Sequence, residues 1–191
     1  PRRAFLASSA AVALATNLNR VARAADDSAK VSSDADGDVF SVAVPLKTPK
    51  SGKDKRMPRP LESAPCPAFI PKGVKSLRGA TLNPFYEPTV KHRHWRATAG
   101  LWNFAHVGLN FFGVKKDEQG ETVLKALKML GEASGHPELA HAPLCIHGMS
   151  IGGGLTSQLV QAFPSRVIAA APVCLEVGPR DTASGGVPMI T

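Results

Sequence analysis

The chain has 191 residues, room for one domain with a core of its own, and a hydrophobic share of 43% typical of globular proteins. No run of 18 apolar residues marks a membrane span. The formal charge of +8 does not point to nucleic acid. Arg2, Arg3, Arg20 and Arg23 fall in an N-terminal stretch without acids, the densest remaining basic cluster is the Pro- and Lys-rich segment 47–59, and no aromatic residue is interleaved there as a base-stacking platform would require.

In chain order, Pro1-Arg2-Arg3-Ala4-Phe5-Leu6-Ala7 sets a twin arginine before a Phe-Leu pair, and an alanine-rich, mildly apolar stretch follows over Ser8–Leu18. Ala22-Arg23-Ala24 supplies the small residues that a signal peptidase reads. Residues 1–24 therefore read as a twin-arginine-like export signal, with a periplasmic or secreted destination. An Arg- and Ser-rich organelle transit peptide is the alternative. Residues 25–37 are polar and acidic, the composition of a linker, and the folded domain is expected over 38–191.

Val39–Leu46 alternates as a strand does, whereas six prolines between 49 and 71 predict little regular structure over 47–73. Leu77–Asn83 reads as a strand stopped by Pro84. Trp95–His106 reads as a helix burying Leu101, Trp102, Phe104 and Ala105, and Leu109–Val114 as a strand. Val123, Leu124, Leu127 and Leu130 give Glu118–Ala133 the period of an amphipathic helix, which Gly135-His136-Pro137 stops. Ala142–His147 is an apolar strand, Ile151–Phe163 a helix closed by Pro164, and Val167–Cys174 another strand; Val187–Ile190 opens one more. Strands and helices in alternation predict an α/β protein, a mostly parallel sheet with helices on both faces.

Three cysteines, Cys66, Cys145 and Cys174, form no CxxC pair, and His92 and His94 have no ligand partners nearby, so no metal or other cofactor is expected. Cys145 and Cys174 read as small core residues.

Gly148-Met149-Ser150-Ile151-Gly152 is a G-x-S-x-G sequence, set between an apolar strand and an amphipathic helix. In that setting the chain must turn tightly and expose one side chain. Gly148 and Gly152 take away side chains that would collide where strand and helix meet, and Gly153 and Gly154 extend the small surface. Ser150 then lies at a helix N-terminus, where free N–H groups favour developing negative charge, and Ile151 offers the first of them.

Leu144 to Gly154, followed by Phe163-Pro164-Ser165-Arg166-Val167, resembles the nucleophile region of α/β-hydrolases, in particular secreted bacterial esterases and depolymerase-like enzymes. The resemblance covers about residues 74–191 and is most specific over 142–172. It implies an eight-stranded sheet, about six strands of which fall in this chain. It also implies a nucleophilic Ser150, an oxyanion hole of the Ile151 N–H plus a donor from the loop after the third strand, and a triad in the order Ser, acid, His. That loop maps to Asn83–Glu87, where the family's His-Gly pair is absent and Phe85 or Tyr86 takes the place, Tyr86 alternatively through its hydroxyl or as a packing residue only. Val187–Thr191 corresponds to the strand that delivers the acid just beyond its end, with the histidine later still. Glu176 or Asp181 is an alternative acid.

The family order sets aside His92, His94, His106, His136 and His141, which precede the serine. His147 reads as a structural strand-end residue. His92-Arg93-His94-Trp95 reads either as a cleft wall or as a surface loop. The expectation is a serine esterase acting on small-molecule or polymeric esters, whose base lies outside residues 1–191. The alternative is a non-catalytic binding protein on the same fold.

Overall fold

A computed structural model of the chain describes residues 29–47, 62–111, 114–115, 117–174 and 186–188. They form one seven-stranded sheet in the order β1-β2-β3-β5-β4-β6-β7. Its strands are β1 (Lys30–Ser33), β2 (Gly37–Pro45), β3 (Ser63–Pro71), β4 (Gly79–Asn83), β5 (Phe104–Gly108), β6 (Leu144–Met149) and β7 (Val167–Val173). Three helices join the later strands: α1 (Arg93–Trp102), α2 (Gln119–Ser134) and α3 (Ile151–Ala162). The strands from β1 to β5 along one side pair antiparallel, while β5, β4, β6 and β7 run parallel. The parallel half carries the site.

Alternation along the strands splits the side chains between two faces. Ala68, Ile70, Ala80, Leu82, Ala105, Val107, Leu144 and Ile146 face a single core with Val123, Ala126, Leu127 and Leu130 of α2 and Leu155, Leu159 and Val160 of α3. Each leucine sealed there contributes about 1.5–3 kcal/mol. The intervening residue Phe69 packs on the opposite face with Val90 and with Ala99 of α1. Helices therefore cover both faces, as the sequence predicts. The α1 face also receives Thr81 and His106, polar side chains in the middle of a sheet.

Several expected boundaries move. Part of the acidic segment read as a linker is structure: β1 pairs with β2 from Lys30↔Ser41 to Ser33↔Asp38, and the Asp34 carboxylate accepts the Asp36 and Gly37 N–H groups to close the turn. The export-signal reading of residues 1–24 lies outside the described residues.

The proline-rich stretch contains a strand after all. Pro65, Pro67 and Pro71 alternate along β3, so the ladder to β2 is carried by the residues between them, and β5 pairs only with Ala68 and Phe69. The N–H groups that proline lacks are ones no neighbour requires.

Helix α1 ends at Trp102 because Asn103 adopts the left-handed conformation (φ 55°) and its N–H turns back to the Ala99 and Gly100 carbonyls. Phe104, Ala105 and His106 thus belong to β5, not to the helix, while Leu101 and Trp102, expected to be buried, are exposed. The strand expected over Leu109–Val114 lies five residues earlier, and Phe112 and Gly113 fall outside the described residues.

Candidate active site

Strand β6 ends at Met149 and α3 begins at Ile151, so the chain turns at Ser150 alone. Its φ of 56° and ψ of −120° lie in a region that a residue with a Cβ avoids. Holding it there costs on the order of 1–3 kcal/mol, which the surroundings must offset. The Ser150 N–H donates to the Val173 carbonyl at the end of β7 (2.8 Å), and the Ser150 carbonyl accepts the Gly154 N–H (3.2 Å). Packing fixes the turn from both sides. A Cβ on Gly148 would collide with the Gly152 carbonyl, and one on Gly153 would lie 2.7 Å from the Val173 carbonyl. Gly152 has Phe85 against it, so the loop after β4 rests on the first turn of α3.

Ser150 is exposed, between Met149 (64% exposed) and Ile151 (55%). As the first residue of α3, Ile151 has an N–H with no intrahelical partner.

Ser150 opens onto a cavity of about 490 Å³. Met149 and Val173 line it beside the serine, Trp95 and His147 form a wall, and Asn83, Phe85, Tyr86 and Thr89 close the side of the β4 loop. The sequence left open whether the segment 92–95 is cleft or surface; Trp95 lines the cavity, while Arg93 and His94 are exposed. Tyr86, His92, His94 and Trp95 continue as a chain of tilted rings with centroids 5.5–6.1 Å apart.

The loop's backbone N–H groups, expected as second oxyanion donors, are already engaged. Asn83 Oδ1 accepts the Phe85 N–H at 3.3 Å and the Tyr86 N–H at 3.1 Å. Asn83 imposes this cap because its side chain reaches the amides two and three residues on.

His106 is fully buried in β5 under Trp95, the two rings stacked with centroids 4.9 Å apart and planes 5° from parallel. Its Nδ1 lies 2.7 Å from Thr81 Oγ1 and its Nε2 2.9 Å from Thr89 Oγ1. The Thr89 hydroxyl donates to the Tyr86 carbonyl at 3.0 Å, so it accepts from Nε2–H, and Thr81 donates to the bare Nδ1. Burial, reinforced by His94, His92 and His147, pushes His106 down to about 3 and keeps it neutral. His106 is thus no base for Ser150; it props the loop 86–89 and the floor under Trp95.

His147 shares the cavity, its ring 5.2 Å from that of Trp95. Its Nδ1 is buried and has no hydrogen-bond partner among the described residues, and burial, with His94 nearby, holds the imidazole below its usual range. His136 pairs with Glu138 (3.0 Å), and His141 lies before β6, at the end of that strand away from Ser150.

Of the cysteines, Cys66 is fully buried, its Sγ 3.5 Å from the Ala64 carbonyl. Cys145 is half-buried, and burial pushes its thiol up. Cys174 is exposed with φ 64°, not a core residue as expected, because β7 ends one residue before it. Glu176 and Asp181 fall outside the described residues. Of the segment Val187–Thr191, Val187 and Pro188 are described, and the Pro188 carbonyl accepts the Ala170 N–H of β7 at 2.9 Å. The residues that sequence reasoning missed are Asn83, Thr89 and His106. Asn-Pro at 83–84 is a turn signal, but only the packed loop shows which amides the side chain caps.

The sequence matches no family model and no curated protein. The structure is similar to the fluorophosphonate-binding serine hydrolase F of Staphylococcus aureus, with a TM-score of 0.50 at 13% identity over 72% of this chain and 56% of that one. A cold-adapted esterase from an Arctic intertidal metagenomic library gives 0.47 at 12% identity, over 74% of this chain and 62% of the esterase. An acetyl xylan esterase from Paenibacillus sp. R4 gives 0.48 at 12% identity, over 75% and 52%. The chain spans between about half and three-fifths of the length of these structures. The crossed strand order, the parallel half-sheet and the likeness to the staphylococcal hydrolase show that the described residues have the α/β-hydrolase fold.

Proposed function

We propose that the protein is a serine hydrolase of carboxylic esters with Ser150 as its nucleophile. The observation that carries this reading is the backbone of Ser150: a non-glycine residue held at φ 56° between strand and helix, exposed on a cavity. Strain of this kind clusters at functional sites, and a tight turn that presents a hydroxyl at a helix mouth is one such use.

In this reading Ser150 Oγ attacks the acyl carbon, and the carbonyl π electrons move to oxygen. The Ile151 N–H and a second donor hold that oxyanion. In this mechanism a histidine base takes the serine proton, oriented by an acid. The apolar walls supplied by Phe85, Trp95, Met149 and Val173 suit an apolar acyl or alcohol group, and the exposed, open setting of Ser150 suits small or polymeric esters alike. The chemistry calls for no cofactor. With residues 1–24 as an export signal, the place of action is the periplasm or the medium.

The test is steady-state hydrolysis of p-nitrophenyl acetate by the full-length protein. Turnover in the wild type that falls by roughly 10³-fold or more in Ser150→Ala supports the reading. Equal turnover in both, or none in the wild type, favours the non-catalytic binding protein instead.

A further inference from the structure

We propose that the side-chain amide of Asn83, through Nδ2, is the second donor to the oxyanion, opposite the Ile151 N–H. The inference rests on the serine-hydrolase reading above and names a catalytic group for it.

A tetrahedral intermediate at Ser150 needs a second donor. The backbone amides that face this side of the cavity, those of Phe85 and Tyr86, are both turned to Asn83 Oδ1. That cap has a second consequence. Two N–H groups can converge only on an acceptor, so the oxygen of the Asn83 amide is fixed toward the loop and the NH₂ group is fixed on its other side. Asn83 is 8% exposed, sits at the C-terminal end of β4, and has its own carbonyl engaged by the Leu109 N–H at 2.8 Å. Backbone and side chain are thus both held before substrate arrives. The Nδ2 group makes no hydrogen bond to a described residue, although Asn83 lines the same cavity as Ser150.

Proximity to the nucleophile follows from the packing of the loop. Phe85 lies against Gly152, where a Cβ would come 3.2 Å from the Phe85 Cβ. The β4 loop and the first turn of α3 therefore touch one residue beyond the Ile151 N–H. A donor already in place, with two hydrogens unspent and little freedom to lose, is what stabilises charge that appears only in the transition state. The segment 83–87 holds no His-Gly pair, and the asparagine supplies the donor from a side chain.

The decisive variant is Asn83→Asp in the full-length protein, assayed with p-nitrophenyl acetate. A carboxylate keeps an oxygen for the Phe85 and Tyr86 N–H groups, so the loop stays capped, but the donor is gone. The expected result is a kcat reduced by roughly 10²–10³-fold with KM little changed and an unaltered thermal unfolding midpoint. Asn83→Ser, which also offers a capping oxygen but ends short of the cavity, should lose kcat in the same way, and it decides the matter if the aspartate variant does not fold. A kcat within about threefold of wild type in the folded variant would overturn the proposal and leave Asn83 a loop cap. Failure of the serine-hydrolase reading shows separately, as a wild type whose turnover does not depend on Ser150.

Discussion

At the scale of single residues, the site depends on strain that is held by close contact. Gly148 has no room for a side chain beneath the Gly152 carbonyl, so Gly148→Ala must separate β6 from α3. It should destabilise the fold by about 1–3 kcal/mol in chemical denaturation and release Ser150 from its turn, with loss of turnover beyond what the stability change explains. His106 gives a second residue-scale test. Its folded pKa, about 3, lies below the unfolded value of 6.5, so between those limits the unfolded chain binds the extra proton. Stability from this group is full above pH 6.5 and is lost as pH falls toward 3, by up to roughly 4 kcal/mol. His106→Phe keeps a ring under Trp95, the Thr89 hydroxyl keeps the Tyr86 carbonyl as acceptor, and the Thr81 hydroxyl can turn from the lost ring nitrogen to the Ala105 carbonyl. Urea unfolding of that variant should show a flatter decline between pH 6.5 and 4 than wild type; an identical slope would contradict the assignment of a buried neutral imidazole.

At the scale of elements, what could be read from the sequence depended on whether local signals and tertiary demands agreed. Helix α2 was legible because Val123, Leu127 and Leu130 repeat at one period and the structure buries them, while Leu124, grouped with them in the sequence, lies off that face and is exposed. Leu127, fully buried, should cost about 2–5 kcal/mol when cut to alanine, measured as a shift in the denaturation midpoint. The turn at Ser150 was legible because the motif and its flanking strand and helix coincide. Strand β3 was not, since prolines suppress a strand assignment unless the register shows that the missing N–H groups face no partner. Nor was the end of α1, where a left-handed Asn103 breaks a run of apolar residues that reads as one continuous helical face. The buried trio Thr81, His106 and Thr89 comes from three separate elements and leaves no pattern along the chain.

At the scale of the molecule, the sheet divides its labour. The antiparallel strands β2 and β3 give α2 a floor, with Arg96 of α1 tied to Asp34 in the β1–β2 turn and laid over the Phe69 ring. The parallel strands β4, β6 and β7 end together at the cavity, where Asn83, Ser150 and Val173 meet from three strand ends. Ligands in open α/β sheets bind at such strand ends, and this architecture puts a strained serine there. The central claim is that this serine is a reactive nucleophile. Its most direct measurement is covalent labelling of the full-length protein by a fluorophosphonate, with the adduct mapped by peptide mass spectrometry. The expected result is a single adduct on the peptide containing Ser150, absent from Ser150→Ala. No adduct on the folded protein, or an adduct that persists in the alanine variant, would contradict it.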